Sequence, residues 1–205
     1  MNEHIRFIYD GILNIPLDYF YCETREGRKQ YNERVFCYEL YHQLRILMPK
    51  YLTQINKRLD GEIPKVLRYG NPPYFGIEYA ITDKERDFKA IPDMVIHENQ
   101  KNRKGQYLIL EVKNSPNKVN VKWDLIKILS YIEQLNYETG IYLQVNYLFN
   151  ELKEQIKESF DQKQLQEEDL WDEYFKKTII MTANVIEKEI CIEQSSLYEI
   201  LKCKP

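Results

Sequence analysis

The feature that most constrains the fold of this chain is a pair of β-rich runs that carry charged residues. The first run spans 91–96 and contains Asp93, and the second spans 107–113 and contains Glu111 and Lys113. Ionised side chains in an otherwise apolar strand are costly unless they are paired or bind a ligand. The two runs therefore predict a polar site built on neighbouring strands.

Length and composition predict one globular domain without a membrane span. The chain has 205 residues, of which 43% are hydrophobic and 30% charged, a balance typical of a folded core. No segment approaches the roughly 18 apolar residues of a membrane span, and the N-terminus lacks a leader pattern. The four cysteines show no CxxC pair, which favours free thiols over a zinc site. We expect a cytoplasmic protein.

The charge is distributed unevenly along the sequence. The net charge of −3 argues against a general polyanion binder of the basic-tail type. Residues 101–130 nevertheless hold seven Lys or Arg against two acids, whereas residues 151–175 hold nine acids against three lysines. The positive segment contains Glu111 and Lys113, so a negatively charged substrate suits that part of the chain.

The apolar periodicity predicts an ordered series of helices and strands. Residues 1–28 predict only a short helix or irregular packing. Residues 106–113 and 141–149, joined by a helix, form a βαβ unit, so their strands should be parallel. The remaining predicted elements are a helix over 29–48 stopped by Pro49, a helix to about Leu59, a turn at 60–61, strands over 74–81 and 89–97, a helix over 121–138 capped by Gly140, a charged helix over 151–174, a hairpin over 177–185 and 188–192, and a final helix to Lys202 capped by Ser195.

One carboxylate lies in the apolar stripe of the first long helix. At 100° per residue Glu33 falls in the middle of the stripe formed by Cys37, Leu40 and Leu44, whereas Glu39 lies at its edge. Glu33 either occupies a solvated first turn, where a negative charge favours the helix dipole, or points toward a polar site inside. The position alone leaves both interpretations open.

The charged strand residues suit a divalent-metal site. Glu111 and Lys113 are two apart on a strand and share a face, and Asp93 on the adjacent strand can bring its carboxylate beside Glu111. Two carboxylates at one place repel each other but form a good site for Mg²⁺ or Mn²⁺. A metal-bound water could then attack a phosphodiester, with Lys113 orienting it and stabilising developing charge.

These residues resemble the PD-(D/E)XK nuclease superfamily, which includes restriction endonucleases and Holliday-junction resolvases. Pro92-Asp93 is followed 18 positions later by Glu111-Val112-Lys113, and the predicted element order over 32–149 is similar to the family core. The resemblance implies an α/β restriction-endonuclease-like core, α-β-β-β-α-β, with a central mixed sheet flanked by helices and a C-terminal helix and β-hairpin extension. It divides the single domain into that core, an N-terminal extension (1–28) and a C-terminal extension (150–205).

The resemblance also assigns roles to individual residues. It implies Asp93 and Glu111 as ligands of Mg²⁺ or Mn²⁺, and Lys113 as the residue that orients the attacking water. Glu33-Arg34 resembles the helix glutamate of resolvase-like members, which favours Glu33 over Glu39 as a third ligand acting through water. Lys127 is similar to the lysine that members often place on the following helix. The implied function is a metal-dependent DNA phosphodiester hydrolase.

Each assignment has a simpler alternative. Asp93 could be a strand-edge charge, Glu111 with Lys113 an exposed ion pair, and Asp124 with Lys127 a surface pair. His97 is expected to be structural, and neither Ser115 nor the cysteines show a partnered base for nucleophilic catalysis. The alternative function is a catalytically silent or partner-dependent nucleic-acid-binding or protein-interaction module. DNA is the expected partner, with RNA as a second candidate, and the C-terminal extension is a candidate surface for a homodimer or a partner protein.

Overall fold

A mixed six-stranded sheet with helices on both faces forms the centre of this α/β protein. The structure, a computed structural model, describes residues 2–68, 87–98, 105–115, 121–160 and 171–202. Every helix within those ranges is too short or too polar to span a bilayer.

Seven α-helices are described, together with a short 3-10 helix at Leu17–Tyr19. They are α1 (Glu3–Leu13), α2 (Glu33–Leu47), α3 (Pro49–Gln54), α4 (Val121–Leu135), α5 (Phe149–Ser159), α6 (Asp172–Lys177) and α7 (Leu197–Lys202).

Ten strands are described, of which six form the central sheet in the order β10-β9-β8-β7-β6-β3. The pairs β1-β2 and β4-β5 are separate two-stranded ribbons. The strands are β1 (Cys22–Glu23), β2 (Lys29–Gln30), β3 (Arg58–Gly61), β4 (Lys65–Arg68), β5 (Asp87–Ala90), β6 (Met94–His97), β7 (Gln106–Asn114), β8 (Thr139–Val145), β9 (Thr178–Ile186) and β10 (Glu189–Ser196).

The sheet combines an antiparallel meander with two parallel crossovers. Strands β3, β6 and β7 pair antiparallel in turn. Helix α4 then connects β7 to β8, and these two strands are parallel, with Glu111 opposite Tyr142. The predicted βαβ unit is thereby confirmed. A second crossover leads to β9, which is also parallel to β8, so β8 is covered on both sides and its seven residues are all buried.

Each face of the sheet has its own hydrophobic cluster because strand side chains alternate. Leu108, Leu110 and Val112 of β7 pack with α1, α2 and α3. Ile109 of the same strand packs with Tyr142 of β8 and with α4 to α7. Residues of β7 that share the face of Ile109 are therefore directed toward α4.

The first strand of the antiparallel meander, β3, is not one of the predicted strands. The predicted helix to about Leu59 is confirmed only in its first part, because α3 ends at Gln54. The predicted turn at 60–61 is wrong, because Arg58–Gly61 is β3 and Leu59 is buried opposite Ile96. The predicted strand over 74–81 lies outside the described residues. The predicted strand over 89–97 is divided: Asp87–Ala90 pairs with β4, and Met94–His97 joins the sheet.

The first long helix begins later than predicted. Residues 29–30 form β2, and α2 starts at Glu33 with Asn32 as its N-cap, whose side chain accepts the N–H of Val35 at 3.2 Å. Pro49 ends this helix as predicted and occupies the first turn of α3, where its missing N–H is not needed. The chain before residue 28 contains a helix of 11 residues, α1.

Two predicted helix caps are wrong. Gly140 lies within β8, and α4 ends before Asn136, which adopts a φ of 60°. A Cβ at Gly140 would collide with Ile128, so this glycine permits close packing of α4 on the sheet. The cap of α7 is Ser196, whose hydroxyl accepts the N–H of Glu199 at 3.1 Å, while the neighbouring Ser195 hydroxyl donates to the carboxylate of Glu199.

The C-terminal part belongs to the central sheet. The predicted charged helix over 151–174 is not continuous, because α5 ends at Ser159, Phe160 is extended, and α6 begins only at Asp172. The predicted hairpin is confirmed, and its second strand, β10, extends further than expected, to Ser196. Since β9 also pairs with β8, the hairpin completes the sheet instead of forming a separate appendage.

Candidate active site

The candidate site lies at the carboxyl end of β7, where β6 begins and where the first turn of α2 approaches. The register pairs Met94 with Leu110, and extending it by one residue places Asp93 opposite Glu111. Glu111 and Lys113 share one face of β7, while Val112 between them packs into the opposite cluster. The sheet thus brings the charged residues of both runs to one place, as the sequence predicted.

Asp93 is fixed by hydrogen bonds to the next strand. It follows Pro92, which has no N–H to donate to a ladder, and it immediately precedes β6. Its carboxylate accepts the backbone N–H of Val112 at 2.7 Å, and its carbonyl accepts the N–H of Glu62 at 3.1 Å. Burial raises the pKa of Asp93, although the Val112 hydrogen bond and Lys113 oppose this effect. Asp93 is therefore an integral part of the strand junction.

Glu111 is a buried carboxylate with one unsatisfied oxygen. The residue is 2% exposed, and its Oε2 lies 3.2 Å from the Lys127 ammonium. Its Oε1 is buried without a hydrogen-bond partner among the described residues. Burial raises the pKa of Glu111 to about 8; Lys127 opposes the rise, and Asp93 and Asp124 add to it. One lysine does not fully compensate this carboxylate for its loss of water.

Lys127 of α4 lies between two carboxylates on the inner side of its helix. Its Nζ is 2.8 Å from Asp124 and 3.2 Å from Glu111. Burial lowers the pKa of Lys127, but these carboxylates outweigh burial, and the pKa is raised. Asp124 is only 7% exposed, so the two residues do not form the surface pair that was the simpler alternative.

Lys113 connects the strand to the first turn of α2. Its Nζ lies 3.2 Å from the Glu33 carboxylate. Burial lowers the pKa of Lys113, but Asp124, Glu33 and Asp93 together raise it, which keeps the ammonium charged at neutral pH. Glu39, the alternative helix carboxylate, instead accepts a hydrogen bond from Gln43 at 2.6 Å. The structure therefore brings Glu33 to the site.

The exposed same-face ion pair considered for Glu111 and Lys113 is not observed. The two side chains pair with Lys127 and Glu33 respectively. Glu111 of β7 is thus matched with Lys127 of α4, and Glu33 of α2 with Lys113 of β7. Three elements, α2, β7 and α4, together with Asp93 before β6, contribute charged groups to one site.

The predicted three-carboxylate metal site is not assembled as such. Within the part of the chain that the structure describes, no three His, Cys, Asp or Glu residues are placed to hold a metal ion. Glu33 is engaged by Lys113, and Glu111 by Lys127. The donor chemistry nevertheless fits a hard divalent cation, because Asp93 and Glu111 offer carboxylate oxygens and one buried Glu111 oxygen has no partner.

Several residues near the site had no assigned role in the sequence analysis. The hydroxyl of Tyr131 on α4 is buried and has no hydrogen-bond partner among the described residues. Burial, with added repulsion from Glu111 and Asp93, raises the pKa of Tyr131, which keeps it a neutral donor. Asp124 was recognised only as a neighbour of Lys127. Their spacing of three residues signalled the pair, but not its burial.

The other candidate residues lie outside this network. His97 is fully buried at the far end of β6, with its Nε2 2.7 Å from Asp60, in agreement with a structural role. Cys22, Cys37 and Cys191 are free thiols. Cys37 is buried, whereas Cys22 and Cys191 are exposed. Burial, with Asp93 and Glu33 nearby, raises the pKa of Cys37. The thiol is therefore not activated for nucleophilic attack.

Comparison with known proteins gives no further assignment. No protein-family model matches the chain, and no curated protein or solved structure is significantly similar to it.

Proposed function

We propose that this protein is a divalent-metal-dependent DNA phosphodiester hydrolase of the PD-(D/E)XK type. The observation that carries the proposal is the network at the end of β7. There Asp93 and Glu111 lie beside two charged lysines, and one buried oxygen of Glu111 has no partner. A buried acid left partly unsatisfied is destabilising, and functional sites are where such strain is commonly found.

The element order supports the restriction-endonuclease-like core. Helix α2, strands β3, β6 and β7, helix α4 and strand β8 occur in the order α-β-β-β-α-β, with the short helix α3 between α2 and β3. The β4-β5 ribbon is inserted between the first and second strands of this series. The charged residues lie at the ends of elements within the series, which is the arrangement that the resemblance implies.

The proposed chemistry divides between two carboxylates and one lysine. Asp93 and Glu111 would hold the cation, which supplies a Lewis acid and an acidified water. Lys113 is an ammonium with a side chain one quarter exposed. Because its pKa is raised, it acts as a hydrogen-bond donor and not as a base. It orients the attacking water and stabilises charge that develops on the phosphate.

Lys127 and Glu33 assist these residues. Lys127 contacts Glu111 and lowers its pKa relative to burial alone, which favours the ionised form that a cation needs. Glu33 holds Lys113 at the mouth of the site and is itself 40% exposed in its side chain. An exposed carboxylate in this position can bind a metal-bound water.

An exposed ribbon near the site carries three cations that suit a nucleic acid. The loop between β1 and β2 carries Arg25 and Arg28, followed by Lys29 in β2, against Glu23 and Glu26, and residues 22–30 are all exposed. Arg28 lies 3.6 Å from Glu26. The Phe20 carbonyl before the ribbon accepts hydrogen bonds from the Asn114 and Asn146 side chains at 3.1 and 2.8 Å. These bonds tie the base of the ribbon to the ends of β7 and β8, where the candidate site lies. Its cations can contact the phosphate backbone.

The direct test is metal-dependent cleavage by the full chain. We expect Mg²⁺ or Mn²⁺ to support cleavage of DNA, and Lys113→Ala to reduce the rate at least roughly 100-fold. Lys157→Ala, which removes a lysine paired with Glu154 on α5, is the matched control and should leave the rate unchanged. Equal cleavage by wild type and Lys113→Ala would refute the mechanism.

The alternative is a nucleic-acid-binding module that lacks catalysis. The pairing of Glu33 and Glu111 with lysines favours it, since both carboxylates already have a cationic partner within the protein. Titration with Mn²⁺ separates the two functions. The hydrolase requires Mn²⁺ affinity that is lost in Asp93→Ala and Glu111→Ala, whereas the binding module requires none.

A further inference from the structure

A cavity of about 310 Å³ opens directly beside the candidate active site. It lies between α2 and the strands β3 and β6, and Asp93 is one of its lining residues. Its volume is at the lower end of the range for small-molecule pockets, roughly 300–1,000 Å³, which suits one planar ring system. The lining residues are Cys37, Tyr38, Tyr41, Gly61, Glu62, Asp93 and Met94.

Two tyrosines form the aromatic wall of this cavity. Tyr38 and Tyr41 are three residues apart on α2, so they are neighbours on the helix surface. The Tyr41 hydroxyl donates to the Leu59 carbonyl at 3.2 Å, which fixes that ring against β3. Tyr38 is 58% exposed and does not belong to the hydrophobic core. An exposed tyrosine beside a cavity offers a face on which a flat ring can stack.

The cavity is also lined by a polar residue with a strained backbone, Glu62. Glu62 has a φ of 51°, in the left-handed region that non-glycine residues rarely adopt. Its N–H donates to the carbonyl of Asp93 at 3.1 Å, and this bond holds Glu62 next to the candidate metal ligand. Backbone strain of this kind tends to occur at ligand-binding positions. The Glu62 carboxylate is an acceptor for N–H groups at the edge of a base.

We propose that this cavity receives one unstacked nucleobase adjacent to the phosphodiester that is cut, so that the substrate is a single-stranded or locally unpaired polynucleotide. The inference rests on the proposed hydrolase function and specifies its substrate class. The cavity shares Asp93 with the candidate site, so a nucleotide whose phosphate is at the site has its base within reach of the tyrosines.

The energetics favour an unpaired strand. Taking a base out of a duplex costs a few kcal/mol, whereas an unpaired base avoids that cost. Stacking on an aromatic side chain then contributes to binding and tolerates any sequence, because every base has a flat face. With a duplex, the energy gained when the base stacks on the tyrosine is used to offset the cost of unpairing. With a single strand, the same energy contributes fully to binding. The protein should therefore bind and cut single strands in preference to matched duplexes.

The first measurement is binding of an oligonucleotide that contains 2-aminopurine, in EDTA so that no turnover occurs. Wild-type protein should change the fluorescence of the single-stranded probe and bind it more tightly than the matched duplex. Tyr38→Ala should abolish the fluorescence change and weaken binding roughly ten-fold, while Tyr38→Phe, which keeps the ring, should stay within about two-fold. Ile46→Ala is the matched control, since Ile46 is also 58% exposed on α2. Circular dichroism verifies the fold of each variant.

The second measurement is cleavage in Mg²⁺ or Mn²⁺ of the same single strand and duplex, as DNA and as RNA of identical sequence. Wild type should cleave the single strand in preference to the duplex. Tyr38→Ala should raise KM for the single strand and change the rate of duplex cleavage little. Comparison of the DNA and RNA substrates shows whether the protein requires deoxyribose or ribose. Tyr38-dependent binding without any cleavage would support the cavity and refute the hydrolase function. Cleavage that prefers duplex, or binding that is unaffected by Tyr38→Ala, would overturn the cavity proposal and leave the hydrolase function standing.

Discussion

Replacing Glu111 by Gln is expected to stabilise the metal-free protein while it abolishes activity. The folded state holds the Glu111 proton up to a pKa of about 8, against an ordinary value of 4.5. Because the folded state binds this proton more tightly than the unfolded chain, wild-type stability falls as pH rises from 4.5 to about 8. Below pH 4.5 both states are protonated and the residue contributes no difference. Gln carries no charge and removes this pH dependence.

The magnitude follows from the raised pKa. Each pH unit between the two pKa values corresponds to about 1.4 kcal/mol, so the substitution should add up to about 3 kcal/mol to the free energy of unfolding at pH 7. Lys127 keeps its ion pair with Asp124 at 2.8 Å in the variant, so no buried cation is left unpaired.

The assay is urea unfolding in EDTA at a series of pH values. The free energy of unfolding of Glu111→Gln should be higher than that of wild type at pH 7, and the two values should converge near pH 4.5. Glu154→Gln, an exposed glutamate on α5, is the control and should change stability by less than about 0.5 kcal/mol at every pH. Adding Mn²⁺ at ten times its Kd should stabilise wild type by about 1.4 kcal/mol and leave the variant unchanged. A variant less stable than wild type at pH 7 would refute the reasoning.

Four further predictions test other parts of the structure. Gly140→Ala should destabilise the fold by about 1–3 kcal/mol in urea unfolding, because the added methyl collides with Ile128; an unchanged midpoint would contradict the close packing of α4 on β8. Tyr131→Phe should leave stability unchanged or raise it by up to about 1 kcal/mol, because it removes a buried hydroxyl without a partner among the described residues; a large loss would reveal a bond to that hydroxyl. Asn114→Ala should lower the free energy of unfolding by about 1–3 kcal/mol, because it breaks the buried hydrogen bond to the Phe20 carbonyl. Thermal unfolding measures the loss, and Asn150→Ala, at an exposed asparagine, is the control. Arg25→Ala should weaken DNA binding and reduce the slope of log K against log salt by about 1; fluorescence anisotropy across a salt series detects it, and an unchanged slope would remove the β1-β2 ribbon from the interface.

Strand periodicity in the sequence predicted that Asp93, Glu111 and Lys113 of the candidate site would lie together. Glu111 and Lys113 share a face because strand side chains alternate, and this holds in any fold that keeps 106–114 extended. The position of Glu33 in the α2 stripe left a solvated first turn and an inward orientation both open, and the structure places its carboxylate 3.2 Å from the Lys113 ammonium with 40% of the side chain exposed. The pairing of β7 with β8 followed from the length of the helix between them.

The strand boundaries were less predictable because they depend on non-local pairing. The sequence of β3 contains Asp60-Gly61, a strong local turn signal. In the structure this segment is extended because Leu59 is buried opposite Ile96 and the backbone pairs with β6. A partner 37 residues away overrides the local preference here, as tertiary contacts commonly do. The position of β9 beside β8 depends on long-range pairing in the same way.

By itself, the sequence determined which residues are charged, which of them share a strand or helix face, and the general α/β order. Only the tertiary structure decided that Lys127 pairs with Glu111, that Lys113 pairs with Glu33, and that a tyrosine-lined cavity adjoins Asp93. The physical reason is that periodicity fixes the direction of a side chain relative to its own element. Burial, pKa and partners depend on what other elements bring to the same point, and those elements are up to 80 residues apart here.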